Sequence, residues 1–304
     1  MSDELYKKHR PATLDEVIGQ DSAVAQIRGL LKDPASFPHT LLLTGPSGCG
    51  KTTLARIIKS MIHVSDHDYE EINGSNNRGI EDMRTIAKRI GVSPMAGRFK
   101  IFYIDESHAL TSDAQNCLLK YLEDTPAHVI WILATTEPNK LKDTIRTRST
   151  KIRCNPMTSD GISALVRDIA RKEGIEVSSA ILEAILDVSM NSARMALVHL
   201  NSIRNMDSEE DKLTILTSDT EGDESFKLAQ AVAKSDWGAC QKILREFKGD
   251  PEAARRVILG YAQSMLLRSS NAIGCHIIGH FKEPFFHVGK PGLTNACYET
   301  CHDL

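Results

Sequence analysis

The chain has 304 residues, 41% of them hydrophobic and 25% charged, with a formal net charge of −3. That length suggests two or three domains rather than one core, and the composition is that of an ordinary globular protein. No apolar run approaches the roughly 18 residues of a membrane span, residues 1–10 lack a signal-peptide pattern, and no global basic field exists. An intracellular protein is expected, cytoplasmic or nuclear in a eukaryote, without a membrane partner and with any nucleic-acid contact confined to a local patch.

In chain order, Thr13 and Glu16 read as a capping box opening a short helix. Asp21 reads as the cap of a second helix carrying Val24, Ile27, Leu30 and Leu31, ended by Pro34 and Pro38. Leu41 to Leu43 is an apolar strand leading into GPSGCGKTT: Gly45, Pro46, Ser47, Gly48, Cys49, Gly50, Lys51, Thr52 and Thr53. Leu54, Ile57, Ile58, Met61 and Ile62 follow at helical spacing. Strand, glycine-rich loop and helix form the context in which G-x-x-x-x-G-K-[ST] means a nucleotide phosphate site. The glycines let successive N–H groups point at phosphate oxygens, and the helix adds the positive end of its dipole. Lys51 can reach the β- and γ-phosphates of ATP, and the Thr52 hydroxyl can ligate Mg2+.

A short strand is expected at Tyr69 to Asn73, then a loop from Gly74 to Gly79. The next helix gathers Ile80, Met83, Ala87 and Ile90 on one side and carries Arg84, Lys88 and Arg89 elsewhere. Lys100 to Glu106, KIFYIDE, reads as a buried parallel strand ending in two carboxylates. Asp105 can hold Mg2+ through water, and Glu106 can orient and polarise the attacking water. A helix with Ala114, Cys117, Leu118, Tyr121 and Leu122 follows, then a strand from Val129 to Ala134 ending in Thr135 and Thr136. Alternating strands and helices predict an α/β parallel sheet with helices on both faces.

Beyond Lys151 the strand signal fades. Helices are expected over Ser159 to Lys172, stopped by Gly174, over Ser179 to Ser189, and over Ala193 to Ile203 behind a cap at Ser192. Met206 to Glu224, polar and acid-rich, reads as a linker. Further helices follow, one with Trp237, Cys240, Ile243, Leu244 and Phe247 on a face, the next with Val257, Ile258, Tyr261 and Met265. Gly289 to Gly292 reads as a turn. Seven cysteines, an odd number, read as reduced thiols. The tail gathers Cys275, His276, His280, His287, Cys297, Cys301 and His302, all zinc-ligand types. No C-x-x-C pair is present, so buried helix cysteines are the simpler reading.

These motifs resemble a clamp-loader ATPase subunit of the AAA+ superfamily, the group of bacterial gamma/tau and the small replication factor C subunits. YKKHRPATLDEVIGQ, from Tyr6 to Gln20, is similar to the family's opening segment. The resemblance places Tyr6, Arg10, Pro11 and Ile18 near the adenine. NGSNNRGIEDMR, from Asn73 to Arg84, resembles the stretch whose helix faces primer–template DNA, which makes Arg84, Lys88 and Arg89 candidates for backbone contact. KYLEDTPAHVIWILATTEPNKL, from Lys120 to Leu141, resembles the bacterial version, with Thr136 in the sensor-1 position. Arg148, in Thr147-Arg148-Ser149, keeps the arginine of the family's Ser-Arg-Cys motif, the arginine finger, and Arg194, in NSARMAL, matches the sensor-2 arginine. Asp105-Glu106-Ser107-His108 departs at its third residue from many relatives, and no four-cysteine zinc module interrupts Met61 to Asn73.

The resemblance implies a P-loop AAA+ domain over 1–155, a small helical lid over 156–206, a linker over 207–224 and an all-helical collar over 225–304. It also implies ATP and Mg2+ as ligands, hydrolysis between subunits of a pentameric ring, and a sliding clamp and primer–template DNA as partners. The loop from Val92 to Gly97 suits either clamp contact or a plain surface turn. Two rival readings stand beside it. The literal D-E-x-H suits a helicase, which would need a second RecA-like domain that residues 151–304 do not suggest. A scaffold subunit without turnover is the other, and the complete set Lys51, Thr52, Asp105 and Glu106 argues against it.

Overall fold

The computed structural model describes residues 4–33, 37–77, 79–221, 224–269, 272–285 and 288–303, without the side chains of 87, 217–221, 268 and 269. Pro34, the Ala87 side chain and His287, named above, lie outside the described residues. By internal contacts the chain divides into two compact units, one of residues 1–177 with 191–201, the other of 178–190 with 202–304. The lid helices expected together are therefore shared between the two units.

The first unit begins with α1 (Leu5–Lys8), a 3-10 turn at Leu14–Glu16 and α2 (Asp21–Leu31). Then come β1 (Thr40–Thr44), α3 (Lys51–Met61), β2 (Tyr69–Asn73) and α4 (Ile80–Ile90). β3 (Lys100–Asp105), α5 (Ser112–Glu123), β4 (Val129–Thr135), α6 (Asp143–Thr147), β5 (Thr150–Arg153) and α7 (Ser159–Glu173) complete its continuous part. The second unit opens with α8 (Ser179–Ser189), and α9 (Ala193–Ser202) returns to the first. α10 (Glu209–Glu221), α11 (Glu224–Ala233), α12 (Trp237–Glu246), α13 (Pro251–Ser269), α14 (Ala272–Phe281) and α15 (Gly289–His302) build the rest.

All five strands are parallel, in the order β2-β3-β4-β1-β5. Alternation along each strand divides the core between the two faces. Leu41, Leu43, Ile101, Tyr103, Ile130 and Ile132 pack with α2 and α3 on one face, through Ile27, Leu54 and Ile58. Leu42, Phe102, Ile104, Trp131 and Leu133 pack with α4 and α5 on the other, through Met83, Ile86, Leu118 and Leu122. Burial on both faces is why these strands read as unbroken apolar runs.

Several expectations need correction. Asp21 is the first residue of α2, not its cap; the cap position is Gln20, whose amide is committed to a reciprocal pair with Asn155 at 2.7 and 2.9 Å. Glu16 reaches back to the Ala12 amide at 2.8 Å, but Thr13 makes no cap bond and the helix is a single 3-10 turn. β5 and α6 were not expected; β5 has four residues, of which only Ile152 is buried, too short for a periodic signal. The expected linker is largely α10. Ser208 accepts from the Asp211 amide at 3.4 Å, Glu209, Glu210 and Asp211 occupy the first turn where the helix dipole favours carboxylates, and Leu216 is buried. Gly289 to Gly292 opens α15 rather than ending in a turn: Gly289 has φ 54, and Pro291 sits in the first turn, where its missing N–H does no harm.

In the second unit α13 packs against α11, α14 and α15 around Val232, Leu244, Ile258, Ile277, Phe281 and Leu293. The Sγ atoms of Cys240 and Cys301 lie 4.0 Å apart, and Cys297 is buried nearby in the same core. Among the described residues no cluster of three or more His, Cys, Asp or Glu could hold a metal ion, and no helix is long and apolar enough to cross a membrane. The polar anchor of this unit is buried Glu252, which accepts from Arg255 Nε at 2.9 Å, Arg255 Nη2 at 2.6 Å and the Phe285 amide at 2.9 Å. The Arg255 hydrogen bonds, aided by that amide and opposed by burial, hold the Glu252 carboxyl down at about 2.

A carboxyl depressed below its unfolded value stabilises the fold above that value, about 4.3, and the contribution is lost as pH falls toward 2. Glu252→Gln is expected to lower stability at pH 7 by about 1–3 kcal/mol and to flatten the decline between pH 5 and 2.5. Thermal melts at pH 7, 5 and 3 check both effects; equal acid sensitivity in wild type and variant would assign that decline to other groups.

Candidate functional site

The candidate site lies in the first unit, at the carboxyl ends of β1, β3 and β4. Strand register puts Thr44 beside Thr135 and Asn73 beside Asp105. The Gly45 amide donates to the Thr135 carbonyl at 3.2 Å, and the Cys154 amide donates to the Thr44 carbonyl at 2.7 Å. The loop leaving β1 is thus pinned from both neighbouring strands. It then turns through Gly45, Gly48 and Gly50 with φ of 150, 73 and 102. At Gly48 the left-handed backbone favours glycine, and space demands it too. A β-carbon there would stand 2.2 Å from the Ser192 hydroxyl and 3.2 Å from Arg194 Cβ. α9, capped by Ser192 Oγ accepting from the Met195 amide at 3.3 Å, therefore rests directly on the loop.

Ser47 to Thr53 line a cleft at the start of α3, where unsatisfied N–H groups and the helix dipole favour an anion. Lys51, only 6% exposed, donates through Nζ to the Gly45 and Pro46 carbonyls at 2.8 and 2.9 Å. A buried ammonium held by two carbonyls is a cation stationed beside the anion-favouring loop. Tyr103 Oη lies 3.0 Å from Thr52 Oγ1, which donates to Asp105 Oδ2 at 3.4 Å. Burial pushes the Tyr103 phenol up, so it stays a neutral donor. Asp105 Oδ1 accepts from the Glu106 amide at 2.9 Å. The hydroxyl and carboxylate oxygens of Thr52 and Asp105 are the hard donors that Mg2+ selects, so these residues fit that ion.

Glu106 follows with φ 48, and its Oε2 accepts from Thr136 Oγ1 at 3.3 Å. Tyr6, Arg10, Pro11, Ile18 and Arg194 line the same cleft, with the Arg194 guanidinium 5.9 Å from the Tyr6 ring centre. Burial, then the neighbouring Arg56 and Arg194, hold Arg10 below the usual arginine value while leaving it charged, so several guanidiniums converge here. His9 and Lys8 both meet Glu173, at 2.5 and 2.8 Å, tying α1 to the end of α7.

Not every candidate residue lies in the cleft. Arg148 caps α6 at the surface, donating to the Thr144 carbonyl at 3.3 Å and pairing with Glu123 at 2.7 Å. On α4, Arg84 pairs with Glu81 and Arg89 with Glu70, each at 2.5 Å, and Lys88 is exposed. Three features were not anticipated. His108 stands between Glu106 and Glu137. Gln115 is buried and ties α5 to the segment before α6, donating to the Lys140 carbonyl at 3.4 Å and accepting from the Lys142 amide at 3.0 Å. The Cys49 thiol is drawn down, first by the neighbouring Cys154 thiol and then by the Lys51 charge, against burial. The same contact and burial push Cys154 up.

Comparison with known proteins follows the same lines. A family model described as DNA polymerase III, delta subunit, matches residues 58–158, and one described as magnesium chelatase, subunit ChlI, matches residues 13–99. The chain is 31% identical to a DNA polymerase III subunit gamma/tau of Mycobacterium tuberculosis, covering 66% of this chain and 38% of that protein. It thus spans about two fifths of the length of that relative. It is 30% identical to a replication factor C small subunit of Archaeoglobus fulgidus, covering 78% of this chain and 76% of that one. Among solved structures it resembles the Thermotoga maritima RuvB Holliday junction branch migration motor, with TM-score 0.61, 23% identity, 81% of this chain and 84% of that one. At that identity the likeness concerns fold alone.

A thiol drawn below the ordinary value reaches half its maximal alkylation rate at a lower pH than the roughly 8.5 an ordinary thiol needs. Cys49 is expected to react with iodoacetamide with that lowered midpoint and to be shielded by ATP. Cys154→Ala should move the midpoint upward, because it removes the neighbour that favours the thiolate. Mass spectrometry of the Cys49 peptide across pH 6–10 reads this; an unmoved midpoint would show that Cys154 does not hold the thiolate.

Proposed function

The chain belongs to the AAA+ clamp-loader family, and we propose on that footing that it is an ATP-hydrolysing subunit of a ring that opens a sliding clamp and places it on primer–template DNA. The family is one of nucleotide-binding ATPases. The observation that supports turnover by this chain is the meeting of Lys51, Thr52, Asp105, Glu106 and Arg194 around one cleft. A subunit kept only as scaffold would not need that complete set. Among the described residues the chain has one sheet, which does not favour the two-domain helicase reading.

In this reading the loop amides and Lys51 hold the β- and γ-phosphates, and Tyr6, Arg10, Pro11 and Ile18 enclose the base. Thr52 and Asp105 would hold Mg2+, which when bound neutralises phosphate charge. Glu106, fixed through Thr136, takes the proton of the attacking water. Arg194, brought onto the loop by α9, senses the phosphates of its own chain. Arg148 lies at the surface on α6, so its proposed reach is to the γ-phosphate of a neighbouring subunit. Coupling of ATP, clamp and DNA then follows if each favours one state of the ring.

Mixing two inactive variants tests this division of labour. Lys51→Ala is expected to lose ATP binding. Arg148→Ala should bind ATP and assemble, yet lose about 10³- to 10⁵-fold in turnover at the adjoining site. Where the subunit contacts its own kind, mixed rings should regain part of the activity in the presence of clamp and DNA. No recovery at any ratio counts against action in trans, and full activity of Arg148→Ala alone removes the role.

The α4 charges give a separate test. Arg84→Ala should weaken primer–template binding regardless of sequence and reduce the salt slope by about one phosphate's worth. Unchanged affinity and slope would make Arg84 an ordinary surface residue.

A further inference from the structure

Glu106 emerges from β3 in the left-handed region, with φ 48, so no regular element sets the direction of its carboxylate. That direction depends on side-chain partners. Thr136 is one, donating to Oε2 at 3.3 Å. The other is His108, whose Nδ1 lies 3.3 Å from the same Oε2 and 3.1 Å from Thr135 Oγ1. The ring's hydrogen bond is with Thr135 Oγ1, and Oε2 of Glu106 stands within ion-pair distance of the same nitrogen. On its far side the ring places Nε2 3.4 Å from Glu137 Oε1, and Glu137 in turn meets Lys140 Nζ at 2.8 Å.

The histidine is itself held firmly. It sits on the 3-10 turn Ser107–Ala109, where Ser107 is fully buried and donates through Oγ to the Ala134 carbonyl at 3.0 Å. The Ala109 amide closes the turn on the Glu106 carbonyl at 2.8 Å. Thr135 Oγ1, which meets the ring, also accepts from the Glu137 amide at 3.0 Å, so β4 fixes both the ring and its outer carboxylate. The side chain is about 15% exposed, enough enclosure for these contacts to persist against water.

We propose that His108 is a positioning residue for hydrolysis: together with Thr136 it holds Oε2 of Glu106, with Glu137 as its outer anchor. Among the described residues both contacts of the carboxylate fall on Oε2, so Oε1 is the oxygen open to a water. Held this way, the carboxylate meets that water with one oxygen already engaged and the other free to take the proton. The inference rests on the reading of Glu106 as the base in ATP turnover.

The experiment compares wild type, His108→Ala, His108→Asn and Glu137→Gln in the assembled ring with clamp and DNA. The Asn amide nitrogen can stand near the position of Nδ1, so it keeps the contact that Ala removes. His108→Ala is expected to lower kcat about 10- to 100-fold, the range for a displaced reacting group. Its affinity for ATP, by equilibrium dialysis, should stay within about twofold of wild type. His108→Asn should recover kcat to within about threefold, and Glu137→Gln should give a smaller loss than His108→Ala. Normal turnover in His108→Ala, or equal losses in Ala and Asn, would overturn the role. A second readout is free of turnover. The ¹⁵N imidazole resonances of His108 should shift in Glu106→Gln, and unshifted resonances would remove the contact. A wild-type ring without ATPase activity would instead defeat the functional reading, while the imidazole resonances would still decide the contact.

Discussion

The site hangs on the double pairing of β1. Hydrogen-bonded to β4 on one side and β5 on the other, this strand is the inner support from which the phosphate loop departs. The pairing reaches past the strand end, through Gly45 to the Thr135 carbonyl and Cys154 to the Thr44 carbonyl. A one-residue slip of β1 would turn Leu41 and Leu43 to the wrong face of the sheet and carry the loop with them. Because Leu41, Leu42 and Leu43 are all fully buried, the hydrophobic effect opposes any such slip from both faces. The position of Lys51 is thus set by packing well away from any ligand.

Much of this was legible in the chain. β1, β3 and β4 are buried on both faces, so their residues form unbroken apolar runs that announce themselves. β5 is an edge strand of four residues with one buried side chain, and α6 is a single short helical stretch; neither is long enough to show a period. α10 was hidden for another reason. Its mean character is polar and acidic, as in a linker, and its helicity depends on a capped, dipole-matched first turn and a buried Leu216. Composition cannot tell those two cases apart.

The site divides in the same way. Lys51 and Thr52 are readable because they open a helix behind a strand and a glycine loop, and Asp105 and Glu106 because they stand at the end of an apolar strand. Thr136, Arg148 and Arg194 carry no local signal and were named only through resemblance. Nothing local shows that Ser192 and Arg194, some 140 residues after Gly48, close over it, since this depends on the chain returning from the other unit. The contacts of Cys154 and Gln115 escaped notice because their partners are remote in sequence, and His108 was read only as part of a D-E-x-H string. The contact of His108 with Glu106 is near in sequence, but it depends on a left-handed residue that spacing does not disclose.

Two arginines proposed to act on phosphate are held in contrasting ways. Arg194 is exposed but anchored at its base: its Cβ packs near Gly48, and its guanidinium lies by Tyr6. Among the described residues Arg148 is tethered by a carbonyl and by Glu123, in an ion pair whose side chains are 42% and 50% exposed. Exposed pairs of that kind are worth about 0–1 kcal/mol. A finger acting in trans lowers a barrier by roughly 4–7 kcal/mol. The internal pair is therefore too weak to oppose the proposed reach, and strong enough only to keep a long side chain near its departure point. Gln115, buried on α5 and bonded to the segment that leads into α6, limits how far that departure point can drift. A rigid base and a loosely held head are what an arginine needs if its partner arrives with another molecule.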